Sequence, residues 1–306
     1  MIVFCCLAVF TVSLHARPQR DVSGPLRYGV MASTAALPIV VARDMGFFEA
    51  EGLEVEVIVF ASPQDRDAAI QAGQLDGASS DLLAAFFFNA AGFDFRITSL
   101  NNGRFGILGS PNSGLTSLAD LRGRRIGFFP NTMTQHIADS KLEAAGVSMF
   151  DYDPVAVPNI LLRFEMLMND QIDAIVVPEP FMTAAEAQGA IVLASTDDTD
   201  LDLGAFFFSG NALRNRLDDI TAFHRAIYRA ILLINENPDA FRDYLVEQMN
   251  FPPAIRDQFQ FFTFSKPALP TEYQFTRAQN WLRARNVLQR EITLGDIIDA
   301  RPTTGW

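Results

Sequence analysis

Two successive runs of alternating strand and helix patterns constrain the fold of this chain most strongly. In residues 26–109, apolar strand patterns such as LRYGVM and LEVEVIVFA alternate with helical patterns such as ALPIVVARDMGFF and DLLAAFFFNAAG. After the turn-rich stretch GSPNSGL the alternation starts again and includes the strands RRIGFFP, DAIVVP and AIVLAS. Alternating strands and helices predict an α/β fold with largely parallel sheets. The two runs share an order of elements rather than a repeated sequence.

This duplicated order predicts two lobes and a helical C-terminal extension of the first lobe. Residues 25–108 and 204–306 are expected to form lobe 1, and residues 109–203 are expected to form an inserted lobe 2. Strands near 103–109 and 203–209 would cross between the lobes as a pair of hinge strands. The tail beyond residue 211 has helical patterns almost to its end, including PAIRDQFQFF at 253–262.

Composition excludes one class of partner. The chain has 306 residues and a formal net charge of −12, whereas a nucleic-acid-binding surface normally carries a basic patch. We therefore expect no nucleic-acid partner. The 27 phenylalanines occur in clusters such as FFFSG, and we expect most of them in the core, with a few available to line a pocket.

The first residues resemble a targeting segment. Residues 1–16, MIVFCCLAVFTVSLHA, carry no charge and predict a signal peptide, and hence a periplasmic or extracytoplasmic protein. A bulky residue, Phe4, precedes Cys5, which argues against a lipid-anchored leader. Both cysteines of the chain, Cys5 and Cys6, lie in this segment, so the mature protein is expected to have no disulfide, cysteine nucleophile or thiolate metal site.

Four motifs carry a resemblance to a known family. They are LPIVVARDMGFFEAEGLEVEV, AAIQAGQLDGASSD, SLADLRGRRIGFFPNT and QIDAIVVPEPF, in this order. In order and spacing, residues 26–210 resemble the substrate-binding proteins of ABC importers, in the SsuA/THI5-like (NMT1-like) group. The resemblance implies a type 2 periplasmic-binding-protein fold that closes on a small molecule between its lobes. It also implies a permease and an ATPase as partners, and a monomer without cofactor or catalytic residue.

Candidate ligand-binding residues follow the carboxyl ends of the predicted strands, where ligands bind in open α/β sheets. The first strand is followed by a small-residue loop, and several later strands end in elbows rich in hydroxyl and amide side chains. The expected ligand-binding residues are Ser33, Thr34, Ser79, Ser80, Asp81, Asn102, Asn131, Thr132, Thr134, Glu179 and Phe181. Most of the polar ones fit an alternative role as helix caps, because their oxygens accept from free N–H groups at a helix start.

The elbow PNTMTQ resembles a catalytic turn only superficially. Its free N–H groups and helix dipole could hold an anion or a carbonyl oxygen, but it lacks the lysine and glycines of a Walker-type phosphate loop. His136 follows it, without a second histidine or a Ser-His-Asp spacing that would make it a metal ligand or a base. Arg104 lies beside the expected hinge and is the nearest candidate cation for an acidic ligand. Alternatively, it is a surface residue.

The ligand class and two alternative functions stay open at this stage. The acidic chain and the cation-poor elbows favour a neutral or aromatic heterocycle, such as a pyrimidine precursor of thiamine, over sulfonate or nitrate. One alternative is an enzyme of thiamine pyrimidine synthesis, a branch of the family that carries a cysteine-rich motif absent here. The second alternative is a ligand-sensing module for a signalling partner.

Overall fold

The computed structural model describes residues 24–304 except residues 198, 200 and 202, and it contains two five-stranded sheets. The predicted signal peptide lies outside the described residues. In chain order the strands are β1 Leu26–Met31, β2 Val55–Phe60, β3 Gly77–Asp81, β4 Phe95–Leu100, β5 Phe105–Gly109, β6 Arg125–Phe128, β7 Asp153–Ala156, β8 Ala174–Pro178, β9 Ile191–Ser195 and β10 Gly204–Ser209.

The two sheets have the same topology. The first sheet has the order β2-β1-β3-β10-β4, and the second has the order β7-β6-β8-β5-β9. In each sheet the first three strands are parallel, the fourth runs antiparallel to both neighbours, and the fifth closes the edge. The α/β class and the duplicated order are therefore confirmed. The sheets are less parallel than predicted, because β5 and β10 each arrive from the other sheet instead of through a helix.

The two crossings set how the sheets are joined. After β4 the chain passes through residues 101–104 and enters the second sheet as β5, which pairs with β8 and β9. The second sheet therefore begins at Phe105, earlier than the boundary at residue 109 that the sequence suggested. After β9 the chain returns as β10 between β3 and β4. Gly77 permits this return, since a Cβ there would stand 2.4 Å from the carbonyl oxygen of Phe207.

Twelve α-helices cover the described part of the two sheets and form most of the tail. They are α1 Leu37–Asp44, α2 Phe47–Ala50, α3 Pro63–Gln71, α4 Leu82–Ala90, α5 Met133–Ala144, α6 Ile160–Met168, α7 Phe181–Glu186, α8 Gly210–Asn215, α9 Leu217–Glu236, α10 Arg242–Glu247, α11 Glu272–Ala284 and α12 Leu294–Ile297. In the described residues, no helix has the length and apolarity needed to cross a membrane.

The helix predicted at 253–262 is wrong. Only a 3-10 turn, Pro253–Ile255, forms there, and residues 258–270 have no regular secondary structure. Phe259 and Phe264 are buried in the core of the first lobe. An extended chain lets these rings reach the core separately, and the segment is bounded by prolines that do not continue a helix.

The phenylalanine clusters form the core, as predicted. In the first lobe, Tyr28, Phe206, Phe208 and Phe223 contact one another, with ring centroids 4.6 Å apart for Tyr28 and Phe223. A second apolar cluster extends through both lobes and includes Phe86 of α4, Ile137 of α5 and Leu282 of α11. Helices α4, α5 and α11 thus share one apolar core that joins the two lobes.

Candidate functional site

A cavity of about 100 Å³ lies where the carboxyl ends of strands from the two sheets meet. Met31 and Asp81 end strands of the first sheet, and Pro178 ends β8 of the second sheet. Among the predicted residues, six line the cavity, namely Ser33, Ser79, Ser80, Asp81, Thr132 and Thr134. Both sheets therefore contribute a wall, as the rule for open α/β sheets predicts. We call this space the cleft.

The wall from the first sheet ends at the start of α4. The Asp81 carboxylate accepts a 3.0 Å hydrogen bond from the Ala84 backbone N–H, which is the predicted helix cap. Burial raises the pKa of Asp81, opposed by the N–H groups of Ala84 and Met133 and by the charge of Arg66. Asp81 thus has both of the roles that the sequence suggested for its position: it caps a helix and lines the cleft.

Ser80 is a residue of this wall whose side-chain hydroxyl makes no hydrogen bond to the described residues. Its side chain is 9% exposed, and within the described residues its hydroxyl has no hydrogen-bond partner. A buried hydroxyl without a partner costs free energy, so native proteins rarely retain one unless water or a ligand satisfies it. Because Ser80 lines the cleft, its hydroxyl is available to a molecule bound there.

The wall from the second sheet is the elbow that starts α5. The Thr132 hydroxyl donates a 2.7 Å hydrogen bond to the Phe129 carbonyl, and the Phe129 N–H donates to the Thr134 hydroxyl at 3.2 Å. These bonds fix the turn so that the first N–H groups of a 12-residue helix lie beside the cleft. Such a helix start favours a partial or full negative charge.

Two arginines that the sequence analysis did not select also line the cleft. Arg66 of α3 is paired with Asp67 at 2.8 Å and donates to the Ser79 carbonyl at 3.0 Å. Its position in the helix after a strand end is a signal that could have been used. The cleft therefore receives cations from helices α3 and α6, which the composition of the elbows alone did not reveal.

Arg163 is the second of these arginines, and its charge has no acidic partner within 4 Å in the described part of the chain. The guanidinium is 1% exposed and donates instead to the carbonyls of Val157, Pro158 and Val176. Burial lowers its pKa to about 9. A buried cation held only by carbonyls is incompletely compensated, and a bound anion would compensate it.

Thr34 and Glu179 do not line the cavity but connect the lobes beside it. The Thr34 N–H donates to the Glu179 carbonyl oxygen at 3.1 Å. The Glu179 carboxylate is fully buried, where it accepts from the Thr183 N–H at 3.0 Å and lies 3.2 Å from Arg104. Burial raises the pKa of Glu179, whereas the hydrogen bonds from Thr183 and the charge of Arg104 lower it. Its carboxylate therefore points away from the position that the sequence suggested.

The remaining predicted residues also lie outside the cavity. Asn102 holds the tail, because its amide donates to the Thr263 carbonyl at 2.9 Å and accepts from the Ser265 N–H at 2.8 Å. Asn131 has a φ of 60°, which the elbow requires at this position. Phe181 contacts Phe164 and Phe251, with ring centroids 6.0 Å and 6.4 Å away.

Arg104 and His136 are committed to structural contacts. Arg104 donates to both oxygens of Asp197, at 2.8 Å to 3.0 Å, in addition to its contact with Glu179. His136 is buried against Trp281, with ring centroids 5.2 Å apart, and burial with two nearby arginines lowers its pKa to about 4. It does not line the cleft. The described residues contain no group of three or more His, Cys, Asp or Glu that could hold a metal.

The two lobes joined by crossed strands, with a cleft at the strand ends, define the class of a two-lobed periplasmic-binding-protein fold. Two solved structures share it. The alkanesulfonate-binding protein SsuA from Xanthomonas axonopodis pv. citri, bound to MOPS, has a TM-score of 0.76 and 20% identity over 92% of this chain and 98% of that chain. The periplasmic aliphatic sulphonate-binding protein SsuA from Escherichia coli has a TM-score of 0.75 and 17% identity over 90% and 97%.

The chain belongs to the NMT1/THI5-like family, whose model matches residues 33–241. The 4-amino-5-hydroxymethyl-2-methylpyrimidine phosphate synthase of Schizosaccharomyces pombe is 23% identical over 279 residues, which cover 83% of this chain and 79% of that protein. A synthase of the same name from Legionella pneumophila is 25% identical over 122 residues, which cover 39% of this chain and 38% of that protein. The expected family and fold are therefore confirmed.

Proposed function

We propose that this chain is the extracytoplasmic receptor of an ABC importer and binds a small organic anion in the cleft. The observation that carries the proposal is the position of the cleft, between the strand ends of two sheets that are joined by two crossing segments. A molecule that contacts both walls stabilises the closed arrangement over the open one. In this mechanism no bond is made or broken, and the closed form engages a permease and its ATPase as a monomer.

The charge of the ligand is inferred from the groups that face the cleft. Arg163 brings a buried cation without an acidic partner among the described residues, and the start of α5 adds a favourable dipole. Ser80 offers a free hydroxyl donor. Among the described residues that line the cleft, Asp81 is the only one with a carboxylate, and burial raises its pKa. A sulfonate or carboxylate group fits this set better than a neutral or cationic group. The SsuA relatives are named for sulfonate ligands, which agrees with this choice.

A binding panel tests the proposal directly. The purified protein is titrated calorimetrically with methanesulfonate, taurine, acetate, nitrate and 4-amino-5-hydroxymethyl-2-methylpyrimidine, and its radius of gyration is followed by small-angle scattering. We expect an organic anion to bind and to compact the protein. The Arg163→Met variant lacks the buried cation and should bind the same anion at least tenfold more weakly. Arg225→Gln breaks a more exposed pair with Glu51 and should bind normally.

A second candidate is a receptor for a pyrimidine precursor of thiamine. Asp81 could accept hydrogen bonds from an exocyclic amine, and Phe105 and Phe129 line the cleft beside it. The pyrimidine synthases among the relatives agree with this candidate. Binding of the pyrimidine without any binding of sulfonates or carboxylates would replace the anion proposal by this one. Turnover of a substrate by the purified protein would instead favour an enzyme, and capture of a signalling protein instead of a permease would favour a sensing module.

A further inference from the structure

An open groove of about 380 Å³ adjoins the cleft. One side is formed by Asp67 and Gln71 of α3 and by one face of α4. The other side is the elbow at residues 129–132 that precedes α5. The groove therefore lies between the two lobes, like the cleft itself.

The cleft and the groove share Arg66, Asp81, Phe129 and Thr132. These four residues form the junction at which the two spaces adjoin. The cleft alone, at about 100 Å³, is too small for much more than a polar head group. For comparison, an engineered apolar cavity that holds benzene has a volume of about 150 Å³.

The groove differs from the cleft in chemistry. Phe87, Phe93 and Phe129 line it and are only partly buried, and Phe88 contacts Phe93 edge to face at 6.1 Å. The charge of Arg66 at the junction is already paired with Asp67. Partly exposed aromatic side chains such as Phe87 and Phe129 favour a flat apolar group, which they contact by stacking or by their edges.

The unpartnered Ser80 hydroxyl supplies a second, independent indication of a ligand beside this junction. Ser80 precedes Asp81 in the chain and lines the cleft, where it can donate to the head group of a bound molecule. Asp81 lies next to this hydroxyl in the chain and lines both the cleft and the groove.

We infer that the solute has two parts: an anionic head in the cleft and an aryl group in the groove between α3, α4 and the elbow at residues 129–132. This inference rests on the proposed function and names its ligand class, an aryl sulfonate or aryl carboxylate. The groove then sets the preference among anions that share one head group.

Pairs of ligands with one head group test the inference. Methanesulfonate, benzenesulfonate and naphthalene-2-sulfonate are compared by calorimetry, together with acetate, benzoate and 2-naphthoate. We expect the aryl member of a series to bind at least tenfold more tightly than its methyl counterpart. The Ala84→Trp variant fills the groove from α4 and should remove this preference, while the affinity for the methyl ligand stays within about twofold.

Two further variants keep the test independent of folding. Ala90→Trp adds the same side chain at an exposed position of α4 that does not line the groove, and should keep the preference. Phe87→Ala removes a ring without adding bulk, and should weaken aryl binding alone. Equal affinities for methyl and aryl ligands, or an unchanged preference in Ala84→Trp, overturn the inference and leave the proposed function intact. Binding of no anion in either series overturns the proposed function and the inference with it.

Discussion

The backbone N–H of Thr34 donates a 3.1 Å hydrogen bond to the carbonyl oxygen of Glu179, and this bond joins a loop of the first lobe to a strand end of the second. It lies beside the cleft and joins the two lobes at this point. Glu179 is itself held by Thr183 and Arg104, so the acceptor side of the contact is rigid. We therefore expect the contact to favour the arrangement of the lobes seen in this structure over a more open one.

Replacing Thr34 by proline removes this donor. Ser33 has φ −149° and ψ 161°, which is compatible with a following proline, and Thr34 begins a 3-10 helix where proline is tolerated. One hydrogen bond contributes about 0.5–1.5 kcal/mol, so we expect an anion that binds the wild type to bind roughly two- to tenfold more weakly. Calorimetry measures the affinity, and small-angle scattering should show a larger radius of gyration without ligand. Thr34→Val keeps the N–H but, like the proline variant, lacks the hydroxyl that also donates to the Glu179 carbonyl at 3.5 Å, and it serves as the control. An unchanged affinity in the proline variant would show that the bond does not favour closure.

Substitution of Ser80 by alanine should change stability and binding in opposite directions. Removing a buried hydroxyl without a partner relieves a desolvation cost, so the free protein should gain about 1 kcal/mol in free energy of unfolding. The same change removes a donor from the cleft, so ligand affinity should fall about fivefold. Urea unfolding and calorimetry measure the two effects. Ser79→Ala, which removes a hydroxyl 3.4 Å from that of Tyr28, should not give the stability gain. A loss of stability in Ser80→Ala would contradict the assignment of an unsatisfied group.

Local sequence signals were sufficient to predict the elbows but not the direction of every side chain. The strand ends and the Asp81 cap follow from short-range patterns, and they place Ser80, Asp81 and Thr132 at the cleft. The place of Glu179 at a strand end also followed from its motif. The inward turn of its carboxylate did not, because it combines bonds from Thr183, four residues later, with a contact to Arg104, which is 75 residues away in the chain.

The buried cation was missed for a related reason. Arg163 lies in the apolar pattern NILLRFEM, where a single charge normally predicts an exposed helix position. Its burial depends on carbonyls of Val157 and Val176 that only the folded sheet brings within reach. The helix predicted at 253–262 is wrong because the phenylalanines of this segment resemble those of an amphipathic helix, whereas tertiary packing extends the chain.

Asp139 is expected to be a major stability determinant of the contact between lobe 2 and the tail. Its buried carboxylate accepts from the Tyr152 hydroxyl at 2.6 Å and from Trp281 Nε1 at 3.1 Å, and it pairs with Arg285. Asp139→Ala leaves a largely buried guanidinium without this partner, so we expect a loss of about 3–5 kcal/mol in free energy of unfolding by urea titration. Asp243→Ala, which breaks an exposed pair with Arg256, should cost no more than about 0.5 kcal/mol. Equal effects of the two substitutions would refute this role.

His136 should make stability depend on pH through its burial and through the charges of the two nearby arginines. Its pKa is lowered from 6.5 to about 4, so the unfolded chain takes up a proton in this range and the folded protein does not. The stability contribution is complete above pH 6.5 and is lost as the pH falls toward 4. At pH 5 the loss from this residue is about 2 kcal/mol relative to pH 7.5.

His136→Phe removes the titrating group while keeping a ring against Trp281. Among the described residues neither ring nitrogen of His136 has a hydrogen-bond partner, so the substitution breaks no such bond and the stability at pH 7.5 should be equal or slightly higher. Urea unfolding at pH 7.5, 6 and 5 should then show a decline about 2 kcal/mol smaller than in the wild type. His224, whose pKa burial lowers to about 3, remains in both proteins and cancels in the comparison. Parallel pH profiles of the free energy of unfolding in the two proteins would contradict this prediction. They would mean that the imidazole of His136 is protonated in the folded state, and therefore that α5 is open to water at the contact with α11.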